Sequence, residues 1–425
     1  MRGRDLISIA DLRPEELELV LVTALALKAE SARGTGVPGL ASTEGFGALR
    51  QAQGERMEGA ASRAPTPGAP PAEEAEPGDP MDTRSRRFFE PAEEDEEEGE
   101  GIEVLRQAQD ERIGAQGEPV LGPFDAAQDR QAEGERIEGE GAQPSAPTWD
   151  ASTLLAGKTL ALLFEKPSLR TRVSFDVAIR ELGGHCIYLS PPEVGLGSRE
   201  PISDVARVLS RYVDGIAART FEHETVEELA RHATVPVINA LSAAEHPCQA
   251  LADLLTVREK KGALRGLTLA YVGDGDNVAA SLALGCAMAG MRFRIASPEG
   301  YELPASVVAQ ARELARANGG SIELLRKPHE ATAEADVVYT DVWASMGQEA
   351  ERAERREAFA GYTVDGEVMS KAKRDAIFMH DLPAHRGEEV TAEVIDGAQS
   401  VVFDQAENRL HAQKAVLALV MGEEE

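Results

Sequence analysis

Short apolar runs alternate with helical patterns from Gly157 to the end of the chain, and a second series of such runs begins at Leu267. Runs of this length, separated by amphipathic segments, are typical of parallel strands joined by crossover helices. The pattern predicts an α/β fold with two doubly wound parallel-sheet domains joined by bridging helices. The predicted strands are KTLALLF, CIYLS, GIAART and VPVINA in the first domain, and LTLAYVG, MRFRIAS, SIELL, ADVVYTD, AIFMH and SVVF in the second.

Three further helices organise the chain. One follows Pro14, with acids in its first turn and apolar residues at helical spacing. A helix from His246 to about Lys261 is expected to bridge the two sheets, and a last helix, 408–420, to pack beside the N-terminal one. The predicted segments are an N-terminal helix of the first domain (1–32), an insertion (33–150), the first domain (151–262), the second domain (263–405) and a C-terminal helix that packs back on the first domain (406–425).

The sequence between residues 33 and 150 shows no periodic pattern of hydrophobic positions. This segment holds 27 Asp and Glu against 11 Lys and Arg, a net charge of −16 out of −30 for the 425 residues. LRQAQGERMEG recurs as LRQAQDERIGA and, degraded, as RQAEGERIEG. Repeats with so few large apolar residues bury too little surface to offset the entropy of ordering, so a disordered acidic insertion is predicted. A regulatory or partner-binding arm is the alternative reading.

Charge and cysteine content exclude several classes of protein. Nucleic acid is not expected as a partner, because phosphate backbones require a basic face. The three cysteines are far apart and form no CxxC pair, which predicts a reducing compartment and no zinc site. The sequence lacks both a leader pattern and an apolar run near 18 residues, so a cytoplasmic protein without membrane association is predicted.

The stretch FEKPSLRTRVSF concentrates positive charge in an acidic chain. Ser168, Arg170 and Thr171 stand where a predicted strand gives way to a helix. Free backbone N–H groups, hydroxyls and guanidinium groups can converge there on one anion, and a phosphate dianion is the natural occupant. The alternative is a solvated basic helix start that pairs with Glu165 or Asp176.

The sequence HPCQ opens the predicted bridging helix. Proline suits the first helical position, which makes His246 the N-cap and places Gln249 one turn inside. A neutral imidazole and an amide at a positive helix end can bind a polarised carbonyl oxygen, although His246 could also simply cap the helix. Arg219, at the carboxyl end of its strand, is a third candidate donor.

Polar loops follow the strands of the second domain. YVGDGDN lacks the third glycine of a dinucleotide fingerprint, so Asn277 is interpreted as a helix-start group for a small polar ligand and no cofactor is expected. TDVWASMGQE offers Asp341 for an ammonium group, with Ser345 and Met346 as a loop wall. HDLPAHRGEE contributes histidines and acids in no recognised ligand spacing, so no metal is predicted.

Together, FEKPSLRTRVSF, HPCQALADLLT, DVWASMGQE, FMHDLPAHRGEEV and FDQAENRLHAQK resemble the ornithine carbamoyltransferases. The resemblance covers 1–32 and about 151 to the C-terminus, and it fails between them. It implies transfer of the carbamoyl group of carbamoyl phosphate to L-ornithine, in arginine biosynthesis or in catabolism, by a homotrimer or a multiple of trimers. The rival interpretations are a carbamoyltransferase for another amine, such as putrescine or an acylated ornithine, and a non-catalytic paralogue with an interaction arm.

The resemblance also implies roles for individual residues. Arg170, Arg219, His246 and Asp381 match catalytic positions, and Arg199 matches a basic residue that reaches the neighbouring subunit's site. The ornithine positions are Asn277, Asp341, Ser345 and Met346. The carbamoyl phosphate positions are Ser168, Leu169, Arg170, Thr171, Arg219, His246, Gln249, Leu382 and Arg409.

Two residues depart from the family's pattern. Leu169 replaces a threonine in the phosphate loop, which removes one hydroxyl and predicts a modest loss. Asp381 replaces the cysteine of the family's HCLP motif, beside the attacking amine. An amine of this type has a solution pKa of about 10.4 by analogy with lysine. A neighbouring carboxylate opposes its deprotonation unless Asp381 is protonated or turned away. An active enzyme is therefore predicted, with a more alkaline optimum than that of its Asp381→Cys variant.

Overall fold

The computed structural model describes residues 1–34, 151–345 and 347–422. The predicted insertion therefore lies almost entirely outside the described residues, as does Met346. In the described part of the chain, no helix is both long enough and apolar enough to cross a membrane.

A four-stranded parallel sheet forms the first of two sheets, with strand order β2-β1-β3-β4. Every residue of β3 is buried, as expected for a strand covered on both faces. The N-terminal chain extends this sheet, because Leu6 forms a parallel bridge to Ile238 of the last strand. The strands are β1 Thr159–Phe164, β2 His185–Leu189, β3 Gly215–Arg219 and β4 Val237–Leu241.

The second sheet has five parallel strands in the order β7-β6-β5-β8-β9. Its order reverses beside β5, the place at which ligands bind in open sheets of this kind. Both sheets confirm the predicted α/β class. The strands are β5 Thr268–Val272, β6 Arg292–Ala296, β7 Ser321–Leu325, β8 Val337–Tyr339 and β9 Ile377–Met379.

Thirteen α-helices lie in the described ranges, in chain order α1 to α13. Short 3-10 turns occupy Ile9–Asp11, Ala151–Thr153 and Glu349–Glu351. The helices are α1 Pro14–Gly34, α2 Leu169–Glu181, α3 Pro191–Val194, α4 Ile202–Leu209, α5 His223–His232, α6 Pro247–Lys261, α7 Asn277–Met288, α8 Ala305–Asn318, α9 Pro328–Thr332, α10 Arg352–Ala358, α11 Gly366–Met369, α12 Ala392–Ile395 and α13 Val402–Met421.

Three of these helices form the central packing unit. α6 is buried at every position from Pro247 to Val257, because elements of both sheets cover it. α13 packs against α6, α1 and α2, so the last helix lies beside the N-terminal helix. The residue boundaries of the predicted domains stay a prediction.

The predicted strand SVVF is wrong. Only Ser400 makes an isolated bridge, to Phe378, and α13 begins at Val402 rather than at Asn408. The first turns of this helix bury Gln405 and Arg409 as well as apolar residues. These buried polar side chains interrupt the hydrophobic period, so the apolar run before them resembled a short strand.

Replacement of Leu417 by alanine tests the packing of α13. The side chain is fully buried in the main core cluster, so its truncation is expected to lower the free energy of unfolding by about 2–5 kcal/mol. Urea denaturation measures the change. The control is Glu407→Ala in the same helix, whose side chain is 56% exposed and whose ion pairs are worth less than about 1 kcal/mol. Equal losses in the two variants would contradict the packing described above.

Candidate active site

A cavity of 430 Å³ lies beside the carboxyl ends of strands from both sheets. Parallel strands direct their following loops to one edge, which explains why segments distant in sequence meet there. Its walls are formed by Lys166, Pro167, Ser168, Leu169, Arg170, Arg219, Leu241, His246, Asn277, Val278, Asp341, Val342, Ala344, Ser345, Arg352, Asp381, Leu382, Pro383, His385, Glu388 and Arg409.

The loop after β1 forms one wall. Ser168 is the N-cap of α2, where its hydroxyl oxygen accepts the N–H of Thr171 at 3.3 Å. The same hydroxyl donates to Thr171 Oγ1 at 2.9 Å, and Arg409 donates to that oxygen at 2.6 Å. Thr171 is fully buried and does not line the cavity, so its hydroxyl orients Ser168 and Arg409. Leu169 projects at the rim, 76% exposed.

Guanidinium groups from three elements converge behind this loop. Arg170 begins α2, Arg219 ends β3, and Arg409 lies in α13. Arg219 and Arg409 are buried, and the Nε atom of each lacks a hydrogen-bond partner in the described structure. Burial and the charge of Arg409 lower the pKa of Arg219 to about 10. Such an unsatisfied cationic cluster favours a bound anion, most strongly a phosphate.

Arg172, two residues after Arg170, takes no part in this cluster. Its guanidinium stacks over the ring of Tyr188 at 3.9 Å from the ring centroid. The alternative ion pairs considered for the loop are also absent there: Asp176 pairs with Arg180, and Glu165 accepts the backbone N–H of Phe221. Helical geometry separates the two arginines, because positions i and i+2 do not face the same side.

His246 occupies the N-cap of α6, as predicted, but its side chain makes no capping hydrogen bond. The ring is buried, and Nδ1 has no hydrogen-bond partner among the described residues. Burial and the positive charges of Arg409 and Arg219 hold the pKa of His246 well below its usual value, so the imidazole is neutral. The simple capping alternative is therefore wrong, and the ring is available to a ligand in the cavity.

Polar groups of the second sheet form the opposite wall. Asn277 begins α7 and donates its amide N–H to the carbonyl oxygen of Ser242 at 2.8 Å. Ser345 donates to Asp276, the N-cap of α7, at 3.4 Å. The glycine before this cap is required by close packing, since a Cβ atom at Gly275 would lie 2.2 Å from the backbone nitrogen of Leu303. The YVGDGDN turn thus needs no dinucleotide to explain its glycines.

Carboxyl oxygens of Asp341 and Asp381 lie within 4.8 Å of each other on this wall, so the two groups form a pair. Burial and the charge of Asp381 raise the pKa of Asp341 well above its usual value. Burial also opposes ionisation of Asp381, but its polar interactions with the neighbouring His380 and Asp341 outweigh burial and lower the pKa of Asp381 to about 2. Two buried carboxyl groups in contact share one proton, so the pair carries about one negative charge at neutral pH.

His380 is fixed behind this pair. Its Nε2 lies 3.2 Å from Glu389 Oε1, and the backbone N–H of Leu382 donates to Nδ1 at 3.0 Å. Atoms of Asp341, His380 and Asp381 lie close enough together to suggest a metal site. Both ring nitrogens of His380 are already engaged, however, so the described groups do not present a free imidazole ligand. The absence of a metal stays a prediction.

Leu382 adopts an unusual backbone conformation, with φ of 61°. A side chain other than glycine is strained in this region, which is sparsely populated and concentrated at functional sites. Leu382 lines the cavity as the resemblance implied. The strained turn directs the chain after β9 into the site.

Besides Thr171, two predicted residues lie away from the cavity wall. Gln249 is fully buried behind it and donates to Asp253 at 2.9 Å. Arg199 is exposed and donates to the carbonyl oxygen of Glu193 at 3.3 Å. This placement contradicts neither predicted role. Gln249 lies one helical turn from His246, and Arg199 was expected to reach a neighbouring subunit.

Several wall residues were missed from the sequence, and Lys166 is the most informative. It is 8% exposed, its ammonium lies 4.8 Å from the ring centroid of Phe221, and burial together with Arg219 lowers its pKa. Its place in the FEKPS loop was a usable signal. Arg352 lies in a segment without a distinctive pattern, so no sequence signal indicated it. His385 and Glu388 lie in the HDLPAHRGEE segment, whose histidines and acids were noted without a role in the site.

Comparison with known proteins identifies both halves of the chain. Residues 127–259 match the family model "Aspartate/ornithine carbamoyltransferase, carbamoyl-P binding domain", and residues 265–420 match "Aspartate/ornithine carbamoyltransferase, Asp/Orn binding domain". The ornithine carbamoyltransferase of Thermococcus kodakarensis is 60% identical over 63% of this chain and 85% of its own length. That of Acidothermus cellulolyticus is 57% identical over 66% of this chain and 90% of its own.

Solved structures give the same result. The ornithine carbamoyltransferase of Pyrococcus furiosus matches with a TM-score of 0.70 and 40% identity, covering 100% of this chain and 99% of its own. The enzyme of Thermus thermophilus matches with a TM-score of 0.58 and 50% identity, over 63% of this chain and 88% of its own. With its cationic wall facing a carboxyl pair and both halves matched, the chain belongs to the aspartate/ornithine carbamoyltransferase family.

Proposed function

We propose that this protein transfers the carbamoyl group of carbamoyl phosphate to the side-chain amine of L-ornithine, giving L-citrulline and phosphate. The observation that carries the proposal is one cavity with an unpaired guanidinium cluster on one wall and a carboxyl pair on the other. The first suits a phosphate and the second an ammonium group. Relatives named ornithine carbamoyltransferase, at 57–60% identity, support the same reaction.

Carbamoyl phosphate is bound at the cationic wall. Ser168 and the N-terminus of α2 offer hydrogen bonds to the phosphate oxygens, while Arg170 and Arg409 supply charge. Leu169 contributes its backbone N–H in place of the lost hydroxyl, and the backbone of Leu382 borders the carbamoyl group. Phosphate held in this way is a good leaving group, so no strong general acid is needed.

The carbonyl carbon is activated by donors beside it. Attack by a neutral amine gives a tetrahedral intermediate whose oxyanion must be stabilised before phosphate departs. Arg219 and the neutral imidazole of His246 are buried next to this position, and Arg170 lies at the cavity wall. A fixed donor of this kind is worth about 10² to 10³ in rate. The reaction as written needs no covalent enzyme intermediate.

Ornithine occupies the opposite wall. Asn277 and Ser345, with Met346 by family resemblance, hold its amino-acid end, and Asp341 with Asp381 faces the amine. The shared negative charge of the pair attracts the ammonium form, which aids binding but opposes loss of the proton. Substrate capture and amine activation therefore have opposite requirements at Asp381.

We also propose a cytoplasmic homotrimer or multiple of trimers, in which Arg199 reaches a neighbouring site. The exposure of Arg199 outside the cavity of its own chain supports this assignment. A relative from Pyrococcus furiosus, 59% identical, is named an anabolic ornithine carbamoyltransferase, which supports the biosynthetic direction.

Substitution of the two neighbouring arginines tests the carbamoyl phosphate site. Arg170→Gln is expected to lower kcat/KM for carbamoyl phosphate about 10² to 10³-fold, because a cavity guanidinium is lost. Arg172→Gln is the matched control and should stay within about threefold, since this side chain stacks on Tyr188 away from the cavity. Steady-state citrulline formation measures both. Equal losses, or full turnover in Arg170→Gln, would refute the assignment.

The pH profile tests the carboxyl pair. A carboxylate beside the amine raises the amine's pKa, so the neutral fraction at a given pH is smaller than it would be beside an uncharged group. In Asp381→Cys the acidic limb of kcat/KM for ornithine is therefore expected to move to lower pH. Asp381→Asn, which keeps the shape without the charge, should move it in the same direction. Profiles that coincide with that of the parent enzyme would show that the electrostatic argument is wrong.

A further inference from the structure

A buried carboxyl group that does not line the cavity is hydrogen-bonded to three other buried side chains. Asp253 Oδ1 accepts N–H groups from Gln249 at 2.9 Å and from Gln405 at 2.7 Å. Asp253 Oδ2 accepts the hydroxyl hydrogen of Tyr339 at 3.1 Å. All four side chains have no more than 1% of their surface exposed.

These contacts join three elements of the fold. Asp253 and Gln249 lie in the bridging helix α6, Tyr339 ends β8, and Gln405 lies in α13. A core position of this kind is ordinarily apolar, because burying a carboxyl group is costly unless it is hydrogen-bonded. Burial raises the pKa of Asp253 to about 7, against the opposing hydrogen bonds from Gln249 and Gln405. Asp253 is therefore partly ionised at neutral pH, and it keeps an acceptor oxygen with or without its proton.

The first consequence is the orientation of Gln249. An amide can be turned either way, but a carboxylate only accepts hydrogen bonds, so the NH₂ group of Gln249 must face Asp253. The amide oxygen then faces away, and it is buried without a hydrogen-bond partner in the described structure. Gln249 stands behind the cavity wall, one turn after the wall residue His246. An unsatisfied acceptor at this place is suited to the NH₂ group of carbamoyl phosphate, and not to its oxygen.

The second consequence reaches the other wall through Gln405. The NH₂ group of Gln405 is held by Asp253 and lies 3.0 Å from the Tyr339 hydroxyl oxygen. Its amide oxygen therefore accepts the backbone N–H of His380 at 2.9 Å. His380 is the residue immediately before Asp381 and the strained Leu382. The carboxyl group of Asp253 is thus two hydrogen bonds away from the chain segment that faces the amine.

We propose that Asp253 is a positioning residue for both substrates, which presents the Gln249 oxygen to carbamoyl phosphate and, through Gln405, fixes the backbone at His380. This inference rests on the function proposed above and adds a coupling between its two half-sites. Asp253 touches no substrate. What matters is its acceptor oxygen, since the three donors around it are satisfied by an acceptor with or without a full charge.

Two variants with side chains of similar shape distinguish the loss of the acceptor oxygens at position 253 from a change in side-chain volume. Asp253→Asn keeps one acceptor oxygen for Gln249 and Gln405, and its NH₂ group can donate to the Tyr339 hydroxyl, so KM for both substrates and kcat are expected to stay within about fivefold. Asp253→Leu removes every acceptor, which frees both amides to turn. It is expected to raise KM for carbamoyl phosphate and to lower kcat/KM for both substrates about 10- to 100-fold.

A purely structural role predicts a different result. Loss of stability reduces the amount of folded enzyme and so the apparent kcat, but it leaves KM unchanged. Tyr339→Phe is the control for this. It removes one donor to Asp253 and one acceptor of the Gln405 NH₂ group, but it leaves the contacts of Gln249 and Gln405 with Asp253 in place. Its KM values should match those of the parent enzyme, while its melting temperature falls.

Gln405→Met tests the same proposal if Asp253→Leu does not fold. It keeps the volume of the side chain and removes the link to His380 together with the Gln405 contacts to Asp253 and Tyr339, while the contact between Gln249 and Asp253 stays in place. KM for ornithine should therefore rise about tenfold, and KM for carbamoyl phosphate should change by less than about threefold. Parental KM values in Asp253→Leu, or in Gln405→Met, would overturn the inference. If the parent protein itself forms no citrulline, the proposed function fails instead, so the two failures are distinguishable.

Discussion

The uncompensated positive charge around Arg219 is the constraint on which the rest of the site depends. The three guanidinium groups come from the first turn of α2, the end of β3 and the distant helix α13, and in the described structure two of them keep a buried Nε atom without a hydrogen-bond partner. Mutual repulsion and desolvation oppose this arrangement in the empty protein. A rigid frame of parallel strands holds it in place, and a bound dianion supplies the missing charge. Because a bound phosphate relieves this repulsion, the clustered charges strengthen its binding.

The same field determines the state of its neighbours. His246 is neutral because burial and the nearby cations penalise a further positive charge. Across the cavity, Asp341 and Asp381 share one proton, because two buried carboxylates in contact cannot both ionise. The cavity therefore has one cationic and one anionic wall with a neutral donor between them. Such a separation of charge holds the phosphate group of carbamoyl phosphate at one wall and the ammonium group of ornithine at the other.

The C-terminal helix connects these walls to the core. Its inward face carries Gln405, Asn408 and Arg409 among apolar residues, and all three are buried. Asn408 donates to Thr256 at 3.0 Å and to Glu259 at 2.7 Å, both in α6. Polar contacts are directional where apolar contacts are not, so they fix the register of the two helices. Arg409 is thereby aimed at the phosphate loop.

The sequence by itself determined the alternating elements, the two parallel sheets and most residues of the site. Strand ends in parallel sheets meet at one edge, so the sequence alone is sufficient to assign motifs that follow strands to one cavity. The prediction of a strand at the start of α13 was wrong, because buried polar residues interrupt the periodicity on which such predictions depend.

Only the tertiary structure decided which of two neighbouring arginines faces the cavity, that Gln249 stands behind the wall, and that Asp381 shares a proton with Asp341. Each of these depends on distances between side chains that are far apart in the sequence. Electrostatic and hydrogen-bond energies change steeply with such distances, whereas hydrophobic periodicity reports only which face of an element is buried.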